Sequence, residues 1–178
     1  TAPEYVVFEG PGMDAFAESP EWGCTFVVLP FMYYETYGDD SLIRKYYNGM
    51  RRYIDYMTTR ANDGIVSFGL GDWYDYGDFR AGFSRNTPVP LVATAHYYMV
   101  VRYLVEAARM LDNRYDVAYY THLGEEINKA FHREFYHKDT RQYGTGSQCS
   151  NALPLFLGMV PADDRQAVLD NLVADIKR

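Results

Sequence analysis

Two kinds of apolar segment alternate along the chain. In Ser41–Arg60 the residues Leu42, Tyr46, Met50, Tyr53, Ile54 and Met57 recur at steps of three and four, while Arg44, Lys45, Asn48, Arg51, Arg52 and Asp55 face the other way. That period predicts an amphipathic helix, with Asp39, Asp40 or Ser41 as its N-cap and Asn62-Asp63-Gly64 at its end. Tyr115–Phe135 repeats the pattern through Tyr119, Leu123, Ile127, Ala130 and Phe131. Asp163–Lys177 repeats it through Val168, Leu169, Leu172, Val173 and Ile176. Before each lies a segment that is apolar nearly all round, starting at Glu21, at Pro90 and near Gln148. Such segments predict buried helices. Pro30 should kink the first, because it lacks the N–H for the bond to Phe26, and Gly38 should stop it. Thr1–Pro20, with Gly10, Pro11, Gly12 and Pro20, reads as a long loop. No segment reads as a convincing strand.

The order is therefore buried helix, amphipathic helix, three times over. Shifting the chain by about 73 residues lays Asp39, Tyr46, Tyr47, Met50 and Ile54 over Asp112, Tyr119, Tyr120, Leu123 and Ile127. Repeats of one buried and one half-exposed helix predict two concentric helical layers, as an α-solenoid or a toroid of α-hairpins. Loop lengths decide between them. The connections at Gly38–Asp40, Asp112–Asn113 and Val160–Ala162 are tight, whereas Ala61–Pro88 and Tyr136–Gly146 are long. All long loops then fall at one end, before the N-termini of the inner helices, where loops carry function. The expected fold class is all-α: an α/α toroid fragment of about three helical hairpins, one partial domain over 1–178. A half-ring exposes apolar flanks, so self-association through its edges is expected.

Composition narrows the function classes. The net charge of −7 and the absence of a Lys/Arg cluster exclude the basic footprint that nucleic acid requires. No long apolar run is free of charge, so no membrane span is expected. The opening TAPEY shows neither a basic n-region nor an apolar h-region, and no initiator Met, which suggests a fragment or a processed product. Cys24 and Cys149 read as buried free thiols in apolar surroundings. His96 reads as a satisfied core histidine, and His122, His132 and His137 as surface; no metal or cofactor is expected. The 17% aromatic share, with 18 Tyr, suits both cores and sugar-stacking surfaces.

Three clusters fall on the loop-bearing rim: Ser19-Pro20-Glu21-Trp22-Gly23, Gly69-Leu70-Gly71-Asp72-Trp73-Tyr74-Asp75-Tyr76-Gly77, and Gly144-Thr145-Gly146-Ser147-Gln148. Both Trp of the chain lie in the first two. An indole covers the apolar face of a pyranose while carboxylates and amides bond its hydroxyls, so Trp22, Trp73, Asp72 and Gln148 are candidates for sugar contact. Each has a plainer alternative: a Trp packed under its own loop, Asp72 closing an Asx-turn, Gln148 capping its helix. Glu21 would sit favourably in the first turn of a helix whether or not it meets a ligand. Asp75 and Asp78 are candidates whose plainer reading is a solvated loop acid.

With these clusters in place, the chain resembles the catalytic domain of bacterial α-L-rhamnosidases, inverting glycoside hydrolases with an (α/α)6 barrel. The pieces that carry the resemblance are SPEWGCTFVVLPFMYYETYGDDSLI, GLGDWYDYG, TPVPLVATAHYYMVVRYL and YGTGSQCSNALPLFLGMVP. The resemblance implies that the chain is half of such a barrel, that Trp22 and Trp73 help wall a rhamnose pocket, and that the substrate is a rhamnose-containing glycoside. The family's general-acid and general-base glutamate motifs have no counterpart in this sequence, so the implied role is recognition, with Trp22, Asp72, Trp73, Glu21, Asp75 and Gln148 as substrate-binding candidates and no catalytic residue in the chain. The competing expectations are a self-contained helical carbohydrate-binding module, another (α/α)6 glycosidase, or a small enzyme using Glu21 and Asp72.

Overall fold

The computed structural model describes residues 18–177. The loop expected over Thr1–Pro20 lies, up to residue 17, outside the described residues. Helix α1, Pro20–Gly23, is one turn; α2, Thr25–Tyr37, follows after a break at Cys24. Pro30 lies within α2, and the break that separates α1 from α2 falls at Cys24. Gly38 ends α2 in the left-handed region (φ 70°), its N–H donating to Tyr34 O at 2.7 Å, as glycine after a helix does.

Helix α3 spans Ser41–Arg60 and α4 spans Val89–Met110; α5 covers Arg114–Phe135. Helix α6 covers Gln148–Phe156 and α7 covers Ala162–Ile176. Helices α2, α4 and α6 form one layer, with α4 touching both neighbours; α3, α5 and α7 each pack against the inner helix before them. The two-layer arrangement read from the alternation is therefore present, as are the tight connections at 38–40, 111–113 and 157–161.

α4 is the core helix, with Ala93, Tyr97, Val100, Val101 and Leu104 all buried. A buried polar tie joins the outer helices beside it. Tyr47 donates to Asp116 Oδ2 at 2.6 Å, Asn113 Nδ2 donates to the same oxygen at 2.8 Å, and Arg51 lies 3.4 Å away. The Asn113 side chain also caps α5, accepting from Asp116 N at 3.1 Å.

Four expectations about the elements need correction. The buried faces of α3 and α5 sit one residue over from the predicted stripes at their N-terminal ends: Ile43 and Tyr47 are buried rather than Leu42 and Tyr46, and Tyr120 and Gly124 rather than Tyr119 and Leu123. α2 is not buried all round. Val27, Pro30 and Phe31 enter the core, while Leu29 and Met32 are more than half exposed, because the described residues cover only one of its faces. In α7 only Val168 of the predicted stripe is buried. The long loops also contain short antiparallel hairpins: β1 (Asp75–Gly77) with β2 (Phe79–Gly82), and β3 (Tyr136–His137) with β4 (Gln142–Tyr143).

β3 and β4 draw in His132, which is no surface residue. Its ring stacks on Tyr136 at 4.4 Å between centroids, and Nδ1 lies 2.9 Å from the Tyr143 hydroxyl. Burial lowers its pKa below the ordinary histidine value, with Asp164 opposing. His96 is satisfied as expected, its Nδ1 lying 2.8 Å from Val92 O.

Candidate functional site

The N-terminal ends of the inner helices are crossed by the two long connections, and the three clusters meet there. Leu70 N donates to Ser19 Oγ at 3.3 Å, and Gly71 N to Glu21 Oε1 at 3.0 Å, joining the first cluster to the second. Thr87 and Ser147 hydroxyls lie 2.7 Å apart, and Thr145 Oγ1 donates to Asn86 O, joining the 61–88 loop to the third.

The backbone of the Gly69–Gly77 loop needs its glycines. Gly69 has φ +128° and Gly71 φ +70°, and a Cβ on Gly69 would stand 2.6 Å from a Glu21 carboxylate oxygen. Downstream the loop is tied by Asp75. Its Oδ2 accepts from Arg85 N at 2.7 Å and Asn86 N at 2.6 Å, and its Oδ1 accepts from Asn86 Nδ2 at 2.6 Å. Asp75 is buried, which overturns the reading of a solvated loop acid: its carboxylate is the knot that folds β1 and β2 back onto the start of α4.

A cleft of about 730 Å³ opens between these loops and the end of α7. Asp72, Thr145, Ser147, Gln148, Asn171 and Asp175 are among its lining residues, and among the described residues no Lys, Arg or His is. The described residues of this wall offer hydroxyl, amide and carboxylate groups, which suits a neutral polyhydroxylated ligand better than an anion. Asp72 lies 3.4 Å from Thr87 Oγ1 and also meets the Cys149 thiol. Gln148 Nε2 donates to Asp175 Oδ2 at 3.2 Å, and the capping role falls to Ser147, whose Oγ accepts from Ser150 N at 3.2 Å.

Cys149 packs against the apolar cluster around Leu91, Phe131 and Tyr143 as expected, but it is half-buried and lines the same cleft beside Asp72 and Thr87. Burial, and then the Asp72 charge, push its thiol up to about 12, so it stays protonated at neutral pH.

The two indoles stand differently. Trp22 is 41% exposed, so it does not pack beneath its own loop. Trp73 is half-buried and meets Phe83 edge-on at 5.4 Å. Neither lines the cleft, nor does Glu21. Of the six substrate-binding candidates, the structure thus brings Asp72, Asp75 and Gln148 to one cleft and leaves Trp22, Glu21 and Trp73 out of its lining. The cleft residues Asn86, Thr87, Asn171 and Asp175 were not anticipated. Asn86 and Thr87 stand directly before α4, where a rim position was readable; Asn171 and Asp175 lie on a helix whose exposed side gave no signal.

Comparison with known proteins gives one consistent result. The model of the bacterial alpha-L-rhamnosidase 6 hairpin glycosidase domain matches residues 1–178. An alpha-L-rhamnosidase of Formosa agariphila is 28% identical over 165 residues, covering 88% of this chain and 17% of that protein. One of Streptomyces avermitilis is 29% identical over 158 residues, covering 88% and 14%. The structure of the alpha-L-rhamnosidase from Dictyoglumus thermophilum superposes with a TM-score of 0.83 at 30% identity, over 89% of this chain and 18% of that one. The Streptomyces avermitilis enzyme, solved in complex with L-rhamnose, gives 0.78 at 27% identity, over 88% and 14%. The chain thus spans less than a fifth of each of these relatives.

Proposed function

The chain belongs to the bacterial α-L-rhamnosidase six-hairpin glycosidase family, and from that membership we propose that it is the sugar-recognising arc of a glycoside hydrolase that removes terminal α-L-rhamnose with inversion. Trp22 and Trp73 offer stacking faces, and Asp72 and Gln148 offer hydroxyl-binding groups. The acid/base glutamate pair comes from elsewhere in the longer protein. Inversion needs two carboxyls roughly 6.5–9.5 Å apart, one protonating the leaving oxygen and one activating water. The observation that carries this reading is the rim itself. Two loops far apart in sequence are tied together by Asn86, Thr87, Thr145 and Ser147 around a cleft that has no cation among its described lining residues, and Asp72 in its wall is followed directly by Trp73.

A division between recognition and chemistry is supported by how the carboxylates are engaged. Asp75 accepts three hydrogen bonds from its own loop, and both oxygens of Glu21 are held by protein donors. The test uses the full-length protein and an aryl α-L-rhamnoside. Trp22→Ala and Trp73→Ala should each raise KM by roughly tenfold, the scale of one lost aromatic contact, with kcat little changed. Proton NMR of the first-formed rhamnose should show the β-anomer. Unchanged KM in both variants overturns the recognition role, and a first-formed α-anomer overturns inversion.

A further inference from the structure

We propose that Glu21 is a positioning residue: it locks the Gly69–Gly71 backbone and so fixes Asp72-Trp73 relative to its own neighbour Trp22. The proposal deepens the reading above and rests on it for its functional consequence.

The geometry is a two-armed clamp. One arm is direct, Gly71 N to Glu21 Oε1 at 3.0 Å. The other runs through Ser19, whose hydroxyl accepts from Leu70 N at 3.3 Å and donates to Glu21 Oε2. Two consecutive backbone N–H groups of the loop are thereby held, Gly71 N–H by the carboxylate itself and Leu70 N–H by the hydroxyl that the carboxylate orients, and the bond to the charged acceptor is the stronger of the two. The loop can approach this closely only because residue 69 has no side chain. A Cβ there would also stand 2.9 Å from Pro20 Cδ. On its far side Gly71 is stopped by Ser84, whose Cβ would lie 2.7 Å from a Gly71 Cβ. The Gly71 peptide is therefore pinned between Glu21 and Ser84, one residue before Asp72 and two before Trp73.

Glu21 has no capping partner of its own to explain it. α1 is a single turn, and its N-cap Ser19 makes no side-chain cap bond. Nor does its carboxylate line the neighbouring cleft. What it joins are the two segments that carry the indoles. A ligand stacked on one and hydrogen-bonded by the other depends on their separation, and misplacement by an ångström is enough to lose affinity.

The experiment uses the full-length protein with Glu21→Ala, Glu21→Gln, Gly69→Ala and the Glu21→Ala/Gly69→Ala double variant. Hydrogen exchange without sugar, read by mass spectrometry on peptides spanning 69–73, reports the clamp alone. Aryl α-L-rhamnoside kinetics report its consequence. Glu21→Ala should speed exchange there by at least about tenfold and raise KM by roughly tenfold, the loss of one charge-assisted bond, with kcat within about twofold. Glu21→Gln keeps a carbonyl acceptor for Gly71 N and should preserve most of both. Gly69→Ala breaks the same contact, so it should copy Glu21→Ala, and the double variant should be no worse than the poorer single one. Unchanged exchange in Glu21→Ala overturns the clamp. A fall in kcat beyond about a hundredfold at constant KM also overturns it, since that marks proton transfer. If Trp22→Ala and Trp73→Ala leave KM unchanged, the recognition reading fails, while the exchange result still decides the clamp.

Discussion

A carboxylate already surrounded by donors has little left to offer a ligand. Asp75 accepts from two backbone N–H groups and one amide, all within 2.7 Å, and is buried. Asp72, three residues earlier, meets only Thr87 Oγ1 at 3.4 Å and the weakly donating Cys149 thiol, and it lines the cleft. In the sequence the two are nearly equivalent, each an acid beside an aromatic in a glycine-flanked loop. The difference is set ten residues later, where the chain returns through Arg85-Asn86, and no local pattern announces that return. The glycines were legible, because the backbone they permit is a local property. Removing the knot should be felt locally first. Asp75→Ala leaves three donors without their acceptor, at about 1.5–3 kcal/mol for each bond to a charged group. Chymotrypsin cleavage at Tyr74 or Phe83, both exposed, should therefore accelerate by at least about tenfold, with Asp75→Asn intermediate. Equal cleavage rates for Asp75→Ala and the unaltered protein would show that the loop is held by other contacts.

At the scale of elements, helix positions and loop asymmetry followed from periodicity, whereas the exact face did not. The stripes of α3 and α5 slipped by one residue where adjacent tyrosines, Tyr46-Tyr47 and Tyr119-Tyr120, made both choices apolar. The partner decides: Tyr47 goes inward because its hydroxyl finds Asp116 at 2.6 Å, and a buried hydroxyl requires such a bond. Gly124 is the second consequence of the slip. It is buried against α4, and a Cβ there would meet Val101 at 3.6 Å and Tyr98 at 3.9 Å, which is ordinary contact. Gly124→Ala should therefore stabilise by up to about 1 kcal/mol through helix propensity. Gly64 tells the opposite story: its φ is +81° and a Cβ would stand 2.9 Å from Ala130 on α5. Gly64→Ala should destabilise by about 1–2 kcal/mol or more. Urea midpoints of the two variants should move in opposite directions; a lower midpoint for Gly124→Ala would mean that α4 and α5 have no room for a methyl group.

At the scale of the whole molecule, two layers of helices are closed against each other while the inner layer keeps an apolar side uncovered by the described residues. Leu29 and Met32 of α2 are 55% and 56% exposed, and Phe156 of α6 is 83% exposed. Exposed apolar side chains of this size tend to be removed from water by whatever surface is available. For the 178-residue chain by itself the available surface is another copy. A net charge of −7 opposes close approach, but at physiological salt the Debye length is about 8 Å and that repulsion is largely screened. The isolated chain should therefore self-associate at micromolar concentration, more strongly as salt is raised, because screening weakens repulsion while burial of apolar area persists. Leu29→Glu with Phe156→Ser should shift sedimentation toward monomer and leave the far-UV circular dichroism unchanged, since both side chains lie outside the buried core. If the unaltered chain sediments as a monomer at every salt concentration, the uncovered side is not an association surface, and its apolar residues are tolerated singly, as scattered surface residues are.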